Sequence, residues 1–197
     1  SGSYTKDEMM LIREEDIDAC EQPSPEDSLK KLNEMIGSDK LKNSMINYIN
    51  YVYFIRERQR HGFTDVLPPL NMIFTGNPGT GKITVAQMLG EIFNTAGVLE
   101  SSAVTVRTRG ELIGDGSVSP QQMAFYIYEQ ARGGILYLEN AHTLFQEVTG
   151  MTALGMILNQ LSETENGDTV VILGGDSEEM EKILTANPKL KLLFPYS

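Results

Sequence analysis

The sequence contains no tryptophan, one cysteine and two histidines. The lone Cys20 excludes an internal disulfide and fits a reducing, cytoplasmic setting. No apolar run approaches the roughly 20 residues needed to span a bilayer, and no secretory leader opens the chain, so no membrane partner is expected. Basic residues are scarce as well: 16 Lys and Arg face 27 Asp and Glu, for a net charge of −11. Residues 1–28 hold nine acids against Lys6 and Arg13 (2 − 9 = −7), which leaves −11 + 7 = −4 for the rest. An acidic chain without a basic stripe is not expected to bind nucleic acid through its phosphates.

What is present describes one ordinary domain. The 197 residues, 41% hydrophobic and 22% charged, suffice for one real core but not comfortably for two. Ser1-Gly2-Ser3 reads as an expression scar, and residues 1–27, with Pro23 and Pro25 among the acids, read as a linker. The nucleotide-binding core is expected over 28–197.

The centre of that core is Gly76-Asn77-Pro78-Gly79-Thr80-Gly81-Lys82, which fits the phosphate-binding pattern G-x-x-x-x-G-K. Its surroundings fit as well. Leu70 to Thr75 reads as a buried strand, while Val85, Ala86, Leu89, Ile92, Phe93 and Ala96 recur at helical spacing until Gly97. Glycines let the backbone wrap so that its N–H groups and the helix N-terminus point at a phosphate, and Lys82 adds a point charge. The hydroxyl expected at the next position, a direct Mg²⁺ ligand, is replaced by Ile83. Thr84 is a poor substitute, because one residue along a helix turns a side chain by about 100°.

In chain order, Ser28 opens a helix carrying Leu29, Leu32, Met35 and Ile36, which Gly37 ends. A long second helix follows, with Leu41, Met45, Ile49, Val52 and Ile55 as its buried stripe and Arg56, Arg58 and Arg60 near its C-terminus. Tyr48, Tyr51 and Tyr53 read as packing residues, and His61 as a helix-end residue. After the loop and its helix come strand 103–106, a glycine-bearing loop 111–119, helix 120–131 and strand 135–138. A helix marked by Leu154, Ile157, Leu158 and Leu161 follows, then strand 170–173 and helix 178–186. Strands alternating with helices predict an α/β protein with a parallel sheet and its ligand at the strands' C-terminal ends.

These stretches together resemble an AAA+ ATPase, and more narrowly the CbxX/CfxQ family, which includes red-type Rubisco activases, sporulation-associated ATPases and type VII secretion ATPases. The matching segments are Leu32 to Gly37, Met72 to Lys82, Gly133 to Leu144 and Leu173 to Phe194. The resemblance implies a P-loop NTPase fold with a parallel sheet flanked by helices in the order 5-1-4-3-2. The fifth strand and the C-terminal lid are expected to be absent from this chain, which leaves strand 70–75 at an exposed edge. It further implies ATP or ADP as cofactor, cradled by Gly76, Asn77, Pro78, Gly79, Thr80, Gly81, Lys82, Ile83 and Thr84, with Ile36 and Gly37 near the adenine. Other AAA+ subunits, or domains of a longer parent, are the implied partners.

Four sites depart from the family pattern, the pair 139–140 counted as one. Besides Ile83, the Asp-Glu pair that holds the metal shell and polarises water falls on Glu139 and Asn140. Glu139 is the remaining candidate metal ligand, and an amide at 140 cannot act as a base. The arginine finger falls on Leu193, and the pore-loop aromatic on Gly116. Asp176 takes the polar-sensor position and His142 a usual tyrosine, read here as a partly buried, hydrogen-bonded histidine. The expected function is therefore a degenerate ATP- or ADP-binding module that hydrolyses weakly or not at all and binds Mg²⁺ weakly. The alternatives are an active AAA+ ATPase remodelling a protein partner, and a nucleotide-free interaction scaffold.

Overall fold

A computed structural model describes residues 30, 39–163 and 168–195. The acidic linker and nearly all of the first expected helix, Ile36 and Gly37 included, lie outside the described residues. The elements run α1 (Asp39–Arg60), β1 (Met72–Thr75), α2 (Lys82–Thr95), β2 (Val104–Arg107), α3 (Arg109–Ile113), α4 (Pro120–Gln130), β3 (Ile135–Leu138), a 3₁₀ turn (Ala141–Phe145), α5 (Val148–Glu163), β4 (Val170–Gly175), α6 (Ser177–Ala186) and α7 (Pro188–Leu193).

The four strands pair in parallel in the order β1-β4-β3-β2. Among the described residues no strand pairs with the outer side of β1. Period-two alternation splits the strand residues between two cores. Ile73, Leu136, Leu138, Val171 and Leu173 pack one way, against α3, α4, α5, α6 and α7. Met72, Ile135, Tyr137, Val170 and Ile172 pack the other way, against Tyr48, Ile49 and Val52 of α1 and Ala86, Leu89, Ile92 and Phe93 of α2. Burial on both faces is why β3 and β4 are apolar throughout rather than alternating. The result is the three-layer α/β arrangement of a P-loop NTPase.

The two helices on the second face are tied as well as packed. Tyr53 donates to the Ile92 carbonyl at 3.2 Å, and Arg56 Nε to the Gly97 carbonyl at 2.9 Å. Tyr48 is buried as predicted, but Tyr51 is 49% exposed and is not a packing residue. His61 is a helix-end residue, paired at 3.2 Å with Glu57 one turn back.

The expected loop 111–119 is corrected at its start. Thr108 and Glu111 form a capping box, in which the Glu111 carboxylate accepts from the Thr108 N–H and hydroxyl at 2.8 Å each, and that nucleates α3. The same bonds hold the Glu111 carboxyl below its ordinary range. Residues 114–119 remain a loop, with exposed Asp115 accepting from the Ser117 N–H at 2.9 Å.

One glycine sets how closely α2 approaches the sheet. A Cβ on Gly90 would lie 2.5 Å from the Ser102 carbonyl oxygen, a backbone atom that cannot swing aside. Gly90→Ala is therefore expected to destabilise by about 1–3 kcal/mol, overriding the helix propensity gained. Thermal unfolding should show a lower Tm than wild type.

Candidate functional site

The phosphate-loop residues stand at the C-terminal end of β1, directly before α2, where the sequence places them. Gly76, Gly79 and Gly81 adopt φ of 145°, 77° and 80°, values that a side chain would oppose. The loop is anchored to the neighbouring strand by the Gly76 N–H, which donates to Gly175 O at 3.2 Å. Within it, Thr80 Oγ1 donates to Asn77 O at 2.8 Å. Gly81 is the N-cap of α2 and supplies no side-chain cap, so the helix's first N–H groups stay available to a ligand.

Lys82 Nζ folds back over the loop, donating to Gly76 O and Asn77 O at 2.7 Å each. Its ammonium is thus held at the loop's own mouth, where an anion with oxygen acceptors can replace those carbonyls. The glycine cradle, helix N-terminus and ammonium together fit a phosphate chain.

The metal side of the site does not share that fit. Ile83 is half-buried and packs against the core formed by Leu89, Tyr137 and Ile172, with Phe74 and Val85 also packed on it. Where a hydroxyl ligand is expected, the chain has an apolar side chain that belongs to the core. Thr84 is exposed, turned off that face as helical geometry requires.

Beyond β3, Glu139 is anchored by its N–H to Arg107 O at 2.8 Å and is half-buried. Asn140 has φ 51° and ψ 43°, the one non-glycine among the described residues with positive φ. Its carbonyl accepts from the Thr143 N–H at 2.9 Å and hydroxyl at 2.7 Å, which starts the 3₁₀ turn. Asparagine tolerates this left-handed conformation better than most residues. An asparagine at 140 thus suits the turn's backbone.

Three further positions are engaged elsewhere. Asp176 Oδ1 caps α6 by accepting from the Glu178 and Glu179 N–H groups at 3.0 and 3.2 Å, so its carboxylate serves the helix. His142 Nδ1 accepts from the Asp176 N–H at 3.3 Å, which makes it the half-buried, hydrogen-bonded residue read from the sequence. Leu193 packs on the first core and lines a cavity of about 1190 Å³ with Leu70, Asn71 and Thr169. Those residues flank the N-terminal ends of β1 and β4, so Leu193 lies at the opposite end of the sheet from this chain's own loop.

Sequence reading passed over Tyr137 as one more apolar strand position. It is buried, its ring centroid lies 6.5 Å from that of Phe74, and burial, with Glu139 adding to it, pushes its hydroxyl up to about 12. The hydroxyl is close enough to Gly174 that a Cβ there would be 2.1 Å away. The signal was a tyrosine two residues before Glu139, on the same strand face.

Comparison with known proteins agrees with this geometry. Residues 72–192 match the model of the ATPase family associated with various cellular activities (AAA). The chain is 32% identical over 167 residues to the protein CfxQ of Xanthobacter flavus, covering 81% of this chain and 52% of that protein. It is 32% identical over 169 residues to a chloroplastic ribulose bisphosphate carboxylase/oxygenase activase of Cyanidioschyzon merolae, covering 82% and 54%. To the stage V sporulation protein K of Bacillus subtilis it is 28% identical over 171 residues, covering 85% and 53%. The chain thus spans about half the length of the curated relatives it matches. A phosphate loop on a parallel α/β sheet, matched by the family model across 72–192, places this chain in the AAA ATPase family, among proteins of the CfxQ/CbxX type.

Proposed function

We propose that this chain is a nucleotide-binding AAA module whose hydrolytic machinery is degenerate, acting as a regulatory or structural unit beside other AAA subunits or domains. The observation that carries this reading is the contrast between positions 82 and 83. Lys82 is poised at the mouth of an intact glycine cradle, while Ile83 is packed into the apolar core where a metal ligand belongs. Phosphates need the first arrangement, and metal chemistry needs the second to be otherwise.

In this reading Gly76 to Gly81 and the N-terminus of α2 hold the phosphates of ATP or ADP, and Lys82 neutralises them. Thr84 borders the loop without reaching the ligand. Glu139 is the carboxylate nearest the role of metal partner, and Mg²⁺ contributes weakly. Asn140 orients water without deprotonating it, and Leu193 offers a neighbour no cation. The core begins near residue 28, and the module works in the cytoplasm.

Titration of ADP and ATP into the purified chain, followed by calorimetry, tests the proposal. Saturable binding of both is expected. No binding would leave the interaction-scaffold reading in its place.

A further inference from the structure

The register of the sheet fixes where the Tyr137 ring points. Tyr137 is opposite Ile172 on β4, yet its hydroxyl lies against Gly174, two residues nearer the loop. Gly174 is opposite Phe74 on β1, and Thr75 opposite Gly175 comes immediately before the loop. One step past the Leu138–Leu173 pair, position 139 is level with Gly174. The ring therefore leans along the strand direction and across β4, and its hydroxyl ends between Glu139 and the root of the phosphate loop. It does so on the face that carries α2, in the same core that receives Ile83.

That hydroxyl has no hydrogen-bond partner among the described residues, and it is not one of the fully enclosed unpartnered atoms, which are Arg109 Nε and Thr169 Oγ1. Core packing alone accounts for a phenylalanine here. A hydroxyl at a nearly buried position with no protein partner, yet still reached by solvent, is free to exchange water for a ligand oxygen. Gly174 keeps the place open, since any side chain there collides with the tyrosine oxygen.

We propose that the Tyr137 hydroxyl faces the outermost phosphate of bound ATP and hydrogen-bonds an oxygen of that phosphate. Tyr137 is thereby a specificity-determining residue that favours the triphosphate over the diphosphate. The inference rests on the nucleotide-binding reading above. It goes further by assigning terminal-phosphate recognition to a side chain outside the loop.

Calorimetric titrations of ATP and ADP into wild type, Tyr137→Phe and Gly174→Ala test it, each with Mg²⁺ and with EDTA. Losing one hydrogen bond to a charged acceptor should weaken ATP binding by about tenfold or more in Tyr137→Phe, with ADP affinity unchanged. The loss should be seen in EDTA as well as in Mg²⁺, and a loss confined to Mg²⁺ overturns the assignment. Gly174→Ala, which keeps the hydroxyl but displaces it, should show the same selective loss. Because the hydroxyl has no partner without ligand, the ligand-free Tm of Tyr137→Phe should equal or exceed that of wild type. Unchanged ATP affinity, an equal loss for ATP and ADP, or a clear drop in ligand-free Tm in Tyr137→Phe overturns the assignment. If wild type binds ATP and Lys82→Ala does not, an unaffected Tyr137→Phe overturns this inference alone. If wild type binds neither nucleotide, both readings fall.

Discussion

Phosphate release by the unmodified chain in saturating Mg²⁺·ATP is expected to stay near the uncatalysed background, and single repairs should leave it there. Phosphoryl transfer needs a metal bridging the phosphates, a positioned water and a cation meeting the developing charge. On the proposed reading, Ile83, Asn140 and Leu193 each weaken one of these. Groups that act as a unit do not recover rate separately, so Ile83→Thr or Asn140→Glu alone should recover little. The structure adds a reason specific to each. Ile83→Thr places a hydroxyl where the isoleucine packs against an apolar core, and Asn140→Glu forces a larger side chain into a left-handed conformation at a cost of about 1 kcal/mol. The combination Ile83→Thr, Glu139→Asp and Asn140→Glu should reach slow hydrolysis at most. An absent arginine finger typically costs about 10³–10⁵ in rate, and Leu193 supplies none. A continuous phosphate assay with Lys82→Ala as the control reads this directly. Robust turnover by wild type that vanishes in Lys82→Ala would favour a working remodelling ATPase instead.

The second large effect concerns Lys82 itself. Its ammonium makes two 2.7 Å bonds to loop carbonyls that ligand oxygens can take over. Charge-assisted hydrogen bonds contribute about 1.5–3 kcal/mol, so Lys82→Ala should weaken both ATP and ADP by roughly 10- to 100-fold. Fold should survive, because the cradle's shape comes from glycine dihedrals and the Gly76–Gly175 bond, not from the lysine. Calorimetry with circular dichroism on the same preparation separates the two effects. Wild-type affinity in Lys82→Ala would remove the loop from the account.

The strand, loop and helix around position 76 were legible in the sequence because three independent signals coincide there: an apolar run, a glycine-lysine spacing and helical periodicity. The same holds for β3 and β4, whose continuous apolar runs belong to strands covered on both faces. Where signals competed, reading failed. Gly110, Gly114 and Gly116 made 111–119 look like a loop throughout, although Thr108-x-x-Glu111 carried the capping-box pattern that forms α3. Tyr51 was assigned to packing from its residue type, yet Tyr48 and Tyr53 take the covered face of α1 and leave it outside. Departures from a motif can be read as chemical losses, but not what replaces them. That Asn140 suits a left-handed turn, that Asp176 is committed to capping α6, and that Ile83 belongs to a core all depend on backbone geometry or on residues distant in sequence. Tyr137 is the clearest case, since its significance comes from Gly174, which is 37 positions along the chain but adjacent across the sheet.

The central claim is that this loop holds phosphates without needing the metal. Titration of ATP into the wild-type chain, once in EDTA and once in excess Mg²⁺, tests it most directly. Ile83 removes a direct ligand and leaves the amide cradle and Lys82 intact, so the two dissociation constants should agree within about threefold, well under the tenfold that 1.4 kcal/mol represents. A gain of tenfold or more on adding Mg²⁺ would contradict the account, because it would mean that a metal site exists where the structure has packed an isoleucine.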